Sequence, residues 1–226
     1  MATATHHDPP ESAACAFTGS AADFFPRKIS LPTLAKAADK CQGCGIYCRA
    51  TRVVFGEGPA TARLMLVGEQ PGDQEDRAGH PFVGPSGRLL DESLAAAKLD
   101  RAVLYVTNAV KHFKWTPGGG AGRGKRRIHS RPTWSEIVAC RPWLEQELHL
   151  VHPELIVTLG ATAAQSLLGK TFRLTQHRGE LNDSPFGPVL ATVHPSSLLR
   201  IPDEAARRAA RESFVADLRI AAKHVR

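Results

Sequence analysis

No apolar run in this chain is long enough to cross a bilayer, which excludes a helical membrane span. The first 25 residues hold Asp8, Glu11 and Asp23 but neither Lys nor Arg, so they lack the basic start of a secretory signal. These two absences lead us to expect a soluble cytoplasmic protein. Cysteine is scarce: Cys15, Cys41, Cys44, Cys48 and Cys140 are an odd, unevenly spaced set of five, unlike the framework of a small secreted domain and better suited to metal binding. Acid is missing from one stretch altogether. Between Lys111 and Arg131 there are seven Lys or Arg and no Asp or Glu, a charge of +7 that equals the formal net charge of all 226 residues. The rest of the chain is neutral.

That stretch contains TPGGGAGRGKRRIHSRP, Thr116 to Pro132. It opens with glycines that fit neither helical nor strand periodicity, then crowds Arg123, Lys125, Arg126 and Arg127 around His129. Composition alone fits a solvated loop, a nucleic-acid tether or a targeting signal. A sequence pI near 9.4, with its excess charge in one place, points to an anionic partner, and clustered cations suit the phosphates of nucleic acid. With 42% hydrophobic residues a chain of this size fills one core. A single domain over residues 29–226 is therefore expected, preceded by a loosely packed segment 1–28 rich in Ala, Thr, Pro and Ser. Nothing calls for an obligate partner chain, so a monomer is expected.

Taken in order, a short helix from Leu34 to Lys40 leads into CQGCGIYC, where Cys41 and Cys44 have the spacing that lets two thiolates meet one metal. This spacing does not separate zinc from iron and sulfur. Cys140 is the obvious third ligand, and Cys48 is either a further ligand or a packed thiol. Ala62 to Val67 reads as a buried strand followed by GEQPGDQ, and Ser86 as the cap of a helix from Gly87 to Leu99. Val103 to Val106 is a second strand, ending in Thr107 and Asn108. Thr133 and Glu136 form a capping box for a helix to about His149 that carries Cys140. Leu155 to Leu159 and Val189 to Val193 are further strands, the first followed by Gly160 and a helix through Leu168, the second by His194, Pro195, Ser196 and Ser197. Pro202 and Asp203 start a C-terminal helix of alternating Arg and Ala. The alternation predicts an α/β fold: an open, mainly parallel four-stranded sheet with helices on both faces. Such sheets bind ligands beyond their carboxyl ends, and Glu69, Gln70, Asn108, His194 and the root of the basic stretch all fall there.

GEQPGDQ with HPFVGPSGRLL, TNAVKH, a helix bearing Cys140, LIVTLGATAAQSLLG and HPSSLL, in this order, resemble the uracil-DNA glycosylase superfamily in its iron–sulfur branch. The likeness runs from Cys41 to the C-terminal helix. Because ordinary iron–sulfur members lack the inserted KRRIH, the chain looks most like the X-type branch, UdgX. The resemblance implies that a uracil nucleotide of DNA, in single strands as well as duplex, is flipped into a pocket. Phe82 would stack on the base, Asn108 read it through paired donor and acceptor, and Gln70 line the pocket. His194 would donate to uracil O2 as charge develops there. His129, oriented by Glu69, would attack the sugar and leave the protein covalently joined to DNA after one turnover. Arg123, Lys125, Arg126, Arg127, Arg131 and Ser196 would meet the DNA backbone, and Leu198 or Leu199 would wedge where the base left. A 4Fe-4S cluster would be held by Cys41, Cys44, His112 and Cys140. Here His112 stands where the ordinary pattern has cysteine, with Cys48 as its competitor. Two other functions stay open: a conventional iron–sulfur glycosylase that turns over, and a non-catalytic iron–sulfur nucleic-acid binder.

Overall fold

The computed structural model describes residues 15–118 and 126–225. Of the expected loose segment 1–28, residues 15–28 are among those described. From Cys15 on the chain is pinned: Ala21–Phe24 forms a 3-10 turn capped by Ser20, Ala21 is fully buried, and Thr18 and Gly19 donate backbone hydrogen bonds to Gln42 and Gly43. Cys15 is disulfide-bonded to Cys48, which removes Cys48 from the candidate metal ligands. The reading of Cys48 as either a further ligand or a packed thiol is thereby corrected.

Helix α1 (Leu31–Ala38) starts three residues before the predicted position because Ser30 and Thr33 close a capping box around Pro32. Strand β1 (Leu64–Gly68) feeds α2 (Asp73–Ala78) and then α3 (Pro85–Ala96). Gly84, not Ser86, is the N-cap of α3, since Pro85 occupies the first helical position. Next come β2 (Tyr105–Asn108), β3 (Trp115–Pro117) and β4 (Arg127–His129). The capping box at Thr133 opens α4 (Trp134–Val151), which runs two residues past His149 and stops where His152 turns left-handed. Strand β5 (Leu155–Leu159) leads to α5 (Ala161–Leu168), the short α6 (Leu174–His177), β6 (Leu181–Asn182) and β7 (Val189–Thr192). Helices α7 (Pro195–Leu199) and α8 (Glu204–His224) complete the chain.

The main sheet has the order β2-β1-β5-β7-β6, five strands rather than four. The four predicted strands are all parallel, and β6 adds an antiparallel edge of two residues, too short to leave a periodic trace. Apolar residues are continuous along the central strands because both faces are covered. Leu64, Leu66, Leu155, Val157 and Leu190 pack on one face under α3, α7 and α8 through Leu90, Leu94, Leu198, Phe214 and Leu218. Met65, Val67, Ile156 and Val189 pack on the other under α4 and α5 through Leu144, Leu148, Ala163 and Leu167. A third cluster joins the first half of α4 to α1 and holds Cys41, Cys44 and Cys140 around Trp143.

Both strands of a two-stranded antiparallel ribbon come from the basic stretch, with Trp115 opposite His129 and Pro117 opposite Arg127. Strands of three residues lie below what periodicity detects.

Behind β2 lies a buried ion pair. The Lys111 ammonium donates to Glu147 Oε2 at 2.5 Å, to Thr107 Oγ1 at 2.7 Å and to the Asn108 carbonyl at 2.8 Å, while Glu147 also accepts from Tyr105, Thr107 and the Gly56 amide. Removing one partner of such a pair strands the other charge away from water. Lys111→Met is expected to lower unfolding free energy by about 3–5 kcal/mol, read as a shift of the urea midpoint with the denaturant slope unchanged.

Candidate active site

The carboxyl ends of the strands open into a cleft of about 700 Å3. Hydrogen bonds from Ala109 and Val110 amides to the carbonyls of Gly68 and Glu69 lace the turn after β2 to the turn after β1, which sets Asn108 beside Glu69 and Gln70. Phe82, His129, Thr162 and His194 face the same space.

Phe82 is 6% exposed and adopts a left-handed φ of 56°, a conformation a bulky residue keeps only when its surroundings impose it. Three contacts impose it here. Arg101 grips the carbonyls of Pro81 and Phe82, Glu75 accepts from the amides of both Gly72 and Gly84, and Gly87 leaves room for the Phe82 carbonyl, which a Cβ there would meet at 1.8 Å. The ring stacks on His194 with centroids 5.9 Å apart and planes 27° from parallel. At Gly68 a Cβ would lie 2.3 Å from Asn108 Oδ1 and 2.5 Å from the Phe82 ring, so only glycine lets these two side chains share the cleft floor. Asn108 is 2% exposed and its Oδ1 has no hydrogen-bond partner among the described residues. A buried orphan acceptor costs about 1–3 kcal/mol, and its persistence in a cleft marks a place for a donor from outside.

His194 caps α7. Its Nδ1 accepts from the Ser196 amide at 3.1 Å, so the ring hydrogen of the neutral form sits on Nε2. Burial, then the charges of His129 and Arg200, lower its pKa from 6.5 to about 4. It is thus a neutral donor at physiological pH, with Ser196 serving as its holder and Arg200 near the hydroxyl of Ser196.

His129 projects from the end of β4. Its Nε2 lies 2.9 Å from Gln70 Nε2 and 3.5 Å from Glu69 Oε1. The amide favours the tautomer with its hydrogen on Nδ1, and the carboxylate favours the one with it on Nε2. Gln70 does more than line the cleft: its two Nε2 hydrogens are shared among His129 Nε2 and the carbonyls of Lys114 and Ser130, and its Oε1 accepts from the Lys114 amide, at the root of the ribbon. Glu69 is held in turn by Thr162 Oγ1 at 2.5 Å, which accepts from Arg131 Nε at 3.1 Å. Glu69, Gln70, Phe82, Asn108, His129 and His194 therefore meet at one place.

The cations separate. Arg127 is 10% exposed and bonds Asp76 at 2.5 Å, Thr51 at 3.0 Å and Asp73, with its guanidinium over the rings of Phe113 and Trp115. Its guanidinium is committed to these partners, so the structure gives Arg127 an internal role in place of the expected backbone contact: it rivets the ribbon to α2. Two residues on, the same strand face delivers His129 to the cleft. Arg131 lines the cleft and Arg126 is exposed, while Arg123 and Lys125 lie outside the described residues. Leu198 is 3% exposed within the core, which removes it as a wedge; Leu199, 46% exposed, is the outward neighbour.

The thiols of Cys41, Cys44 and Cys140 are free, buried and gathered in one cluster, yet among the described residues no three His, Cys, Asp or Glu are set as a metal site. Cys41 Sγ accepts from Trp143 Nε1 and Cys140 Sγ from the Lys111 amide, each at 3.3 Å. Burial pushes the Cys44 thiol up to about 11 and raises Cys140 as well. His112 is buried, which lowers its pKa to about 4 against the opposing charge of Asp76.

This arrangement can be set against known proteins. The family model described as "Uracil DNA glycosylase superfamily" matches residues 55–219. The chain belongs to that superfamily. Within the uracil DNA glycosylase superfamily it is 35% identical over 187 residues to a type-4 uracil-DNA glycosylase of Thermotoga maritima, covering 81% of this chain and 91% of the relative. A type-4 enzyme of Pyrobaculum aerophilum is 31% identical over 183 residues, 77% of this chain and 87% of the relative, and a type-5 enzyme of the same organism is 29% identical over 191 residues. These similarities lie with type-4 and type-5 members.

Sequence reasoning missed Thr162, Glu75, Arg101 and Gly68, which hold the functional side chains. Gly68 and Thr162 stand inside the quoted motifs GEQPGDQ and LIVTLGATAAQSLLG, and Glu75 belongs to an acid cluster with Asp73 and Asp76 that had no assigned partner; Arg101 left no signal.

The depressed His194 pKa carries a sign. Between pH 6.5 and about 4 the unfolded chain binds a proton that folded His194 refuses, so this residue makes stability fall as pH drops through that window. Its ring resonances are expected to titrate near pH 4 by NMR; a midpoint near 6.5 would contradict the buried, Nδ1-accepting geometry.

Proposed function

We propose that this protein is a uracil-DNA glycosylase. The observation that carries the reading is the pairing of an unpartnered acceptor, Asn108 Oδ1, with a neutral donor, His194, across the face of Phe82. Uracil brings N3–H and O4 to an amide, where the amino group of cytosine would leave Asn108 mispaired. As the C1′–N1 bond breaks, its electron pair leaves on the base and charge collects at O2, where the His194 Nε2–H stabilises it. The base then departs with a proton taken from solvent.

The sugar needs a nucleophile. The names of the type-4 relatives support hydrolysis: water adds to C1′, its proton passing to Glu69, and the enzyme turns over. A second reading rests on His129. With Gln70 and Glu69 at its Nε2, the imidazole stands over the cleft; its lone pair would bond C1′ while the proton on its other nitrogen leaves to solvent, giving an adduct with no hydrolytic exit.

Single-stranded and duplex oligonucleotides containing one uracil, followed by a uracil assay and a denaturing gel with intact mass, decide both points. Release of uracil is expected from the wild type, reduced by two to three orders of magnitude in Asn108→Ala, on the order of the loss of a fixed transition-state donor. Absence of uracil release from either oligonucleotide sinks the glycosylase reading. Free abasic DNA means hydrolysis. A protein–sugar adduct means capture, and it must vanish in His129→Ser.

The three buried thiols fit an iron–sulfur group: they share one cluster and already accept N–H hydrogen bonds at two sulfurs, as cluster thiolates do. Cys41, Cys44 and Cys140 would hold it, with His112, whose neighbour Lys111 bonds Cys140, as the fourth ligand. The group would tie the Cys44 segment to α4, a structural part with no step of the reaction assigned to it. Purified protein is expected to be brown and to carry iron and acid-labile sulfide, both lost in Cys140→Ala; a colourless protein with zinc instead would overturn the assignment.

A further inference from the structure

The arginines of α8 play no part in the cleft described so far. A second cleft of about 490 Å3 lies beside the first, and the same two helices contribute to both. Helix α3 gives Ser86 to the first and Arg88 to the second; α7 gives Ser196 and Ser197 to the first and Leu198 and Leu199 to the second. Four guanidinium groups line this second cleft: Arg88 from α3 and Arg207, Arg208 and Arg211 from α8. Arg211 is paired with Glu92 at 2.9 Å, and Arg207 caps the Ile201 carbonyl at 3.1 Å. Among the described residues Arg88 and Arg208 have no carboxylate within ion-pair reach, and Glu204 is the one other acid in the lining. The groove is therefore net positive, and it shares α3 and α7 with the first cleft, with Leu199 of α7 exposed in its lining.

We propose that this groove binds the backbone phosphates of the DNA strand flanking the nucleotide held in the first cleft. The proposal rests on the glycosylase reading for its choice of ligand. A strand that places one nucleotide beside His194 must leave across α7, and on that path it meets Leu199 and then a row of guanidinium groups suited to phosphate oxygens. The row reads no sequence. It supplies position and a salt-dependent share of affinity. Arg127 is committed to Asp73 and Asp76, whereas Arg88 and Arg208 on this groove are exposed.

The test separates binding from catalysis. Fluorescence anisotropy with a uracil-free single-stranded oligonucleotide, across a salt series, compares the wild type with Arg88→Ala/Arg208→Ala and with a charge-matched control, Lys170→Ala/Lys223→Ala. Both control lysines are exposed, one beyond the end of α5 and one about 22 Å along α8 from Arg208 at about 1.5 Å per residue. The arginine variant is expected to bind about tenfold more weakly, with the log–log salt slope shallower by about 1.4, from about 0.7 for each of two single-strand phosphates. The control should match the wild type. Wild-type affinity and slope in the arginine variant, or an equal loss in the control, overturns the groove. Uracil release by the wild type is scored separately, so a failed glycosylase reading shows as absent release whatever the binding series gives.

Discussion

The buried pair of Lys111 and Glu147 is the constraint on which the site depends. Two charges out of water are costly unless every donor and acceptor is matched, and here they are: Lys111 uses its three hydrogens on Glu147, Thr107 and the Asn108 carbonyl, and Glu147 receives Tyr105, Thr107 and the Gly56 amide as well. A fully matched network tolerates little displacement. It fixes the end of β2, where Asn108 reads the cleft, to α4, which carries Cys140. Because the Lys111 amide also bonds the Cys140 sulfur, the cleft floor and the thiol cluster are positioned by one residue.

Around that anchor the polar groups of the cleft are held but not satisfied. Asn108 keeps an acceptor without a partner, and His194 is made a neutral donor by the Ser196 amide and by burial. Such groups cost stability, and the two covered sheet faces and the cluster around Trp143 offset them. Preorganisation of this kind means the dipoles need not reorient as charge develops.

Charge in this protein is divided by partnership rather than by count. Arg127 looks in the sequence like its neighbour Arg126, yet one is an internal rivet and the other is exposed. The rivet gives the ribbon its docking, and the docking brings His129 within reach of Glu69 and Gln70. Conversely, the arginines of α8 look like the solvated face of a terminal helix and instead line a groove beside the site.

The sequence by itself determined the four parallel strands, the capping box at Thr133, the strand-end placement of Glu69, Asn108 and His194, and the superfamily. These follow from local rules: apolar runs, caps, and the rule that open parallel sheets carry their polar ends on one edge. Tertiary structure alone decided which of two adjacent leucines faces outward, that Cys48 joins Cys15, that β6 closes the sheet edge, and which cations are already paired. Each of those depends on residues tens of positions apart, such as Arg127 with Asp73 and Asp76, and on strands too short to show a period. A side chain's distant partners are a property of the packed chain, and no pattern within one stretch encodes them.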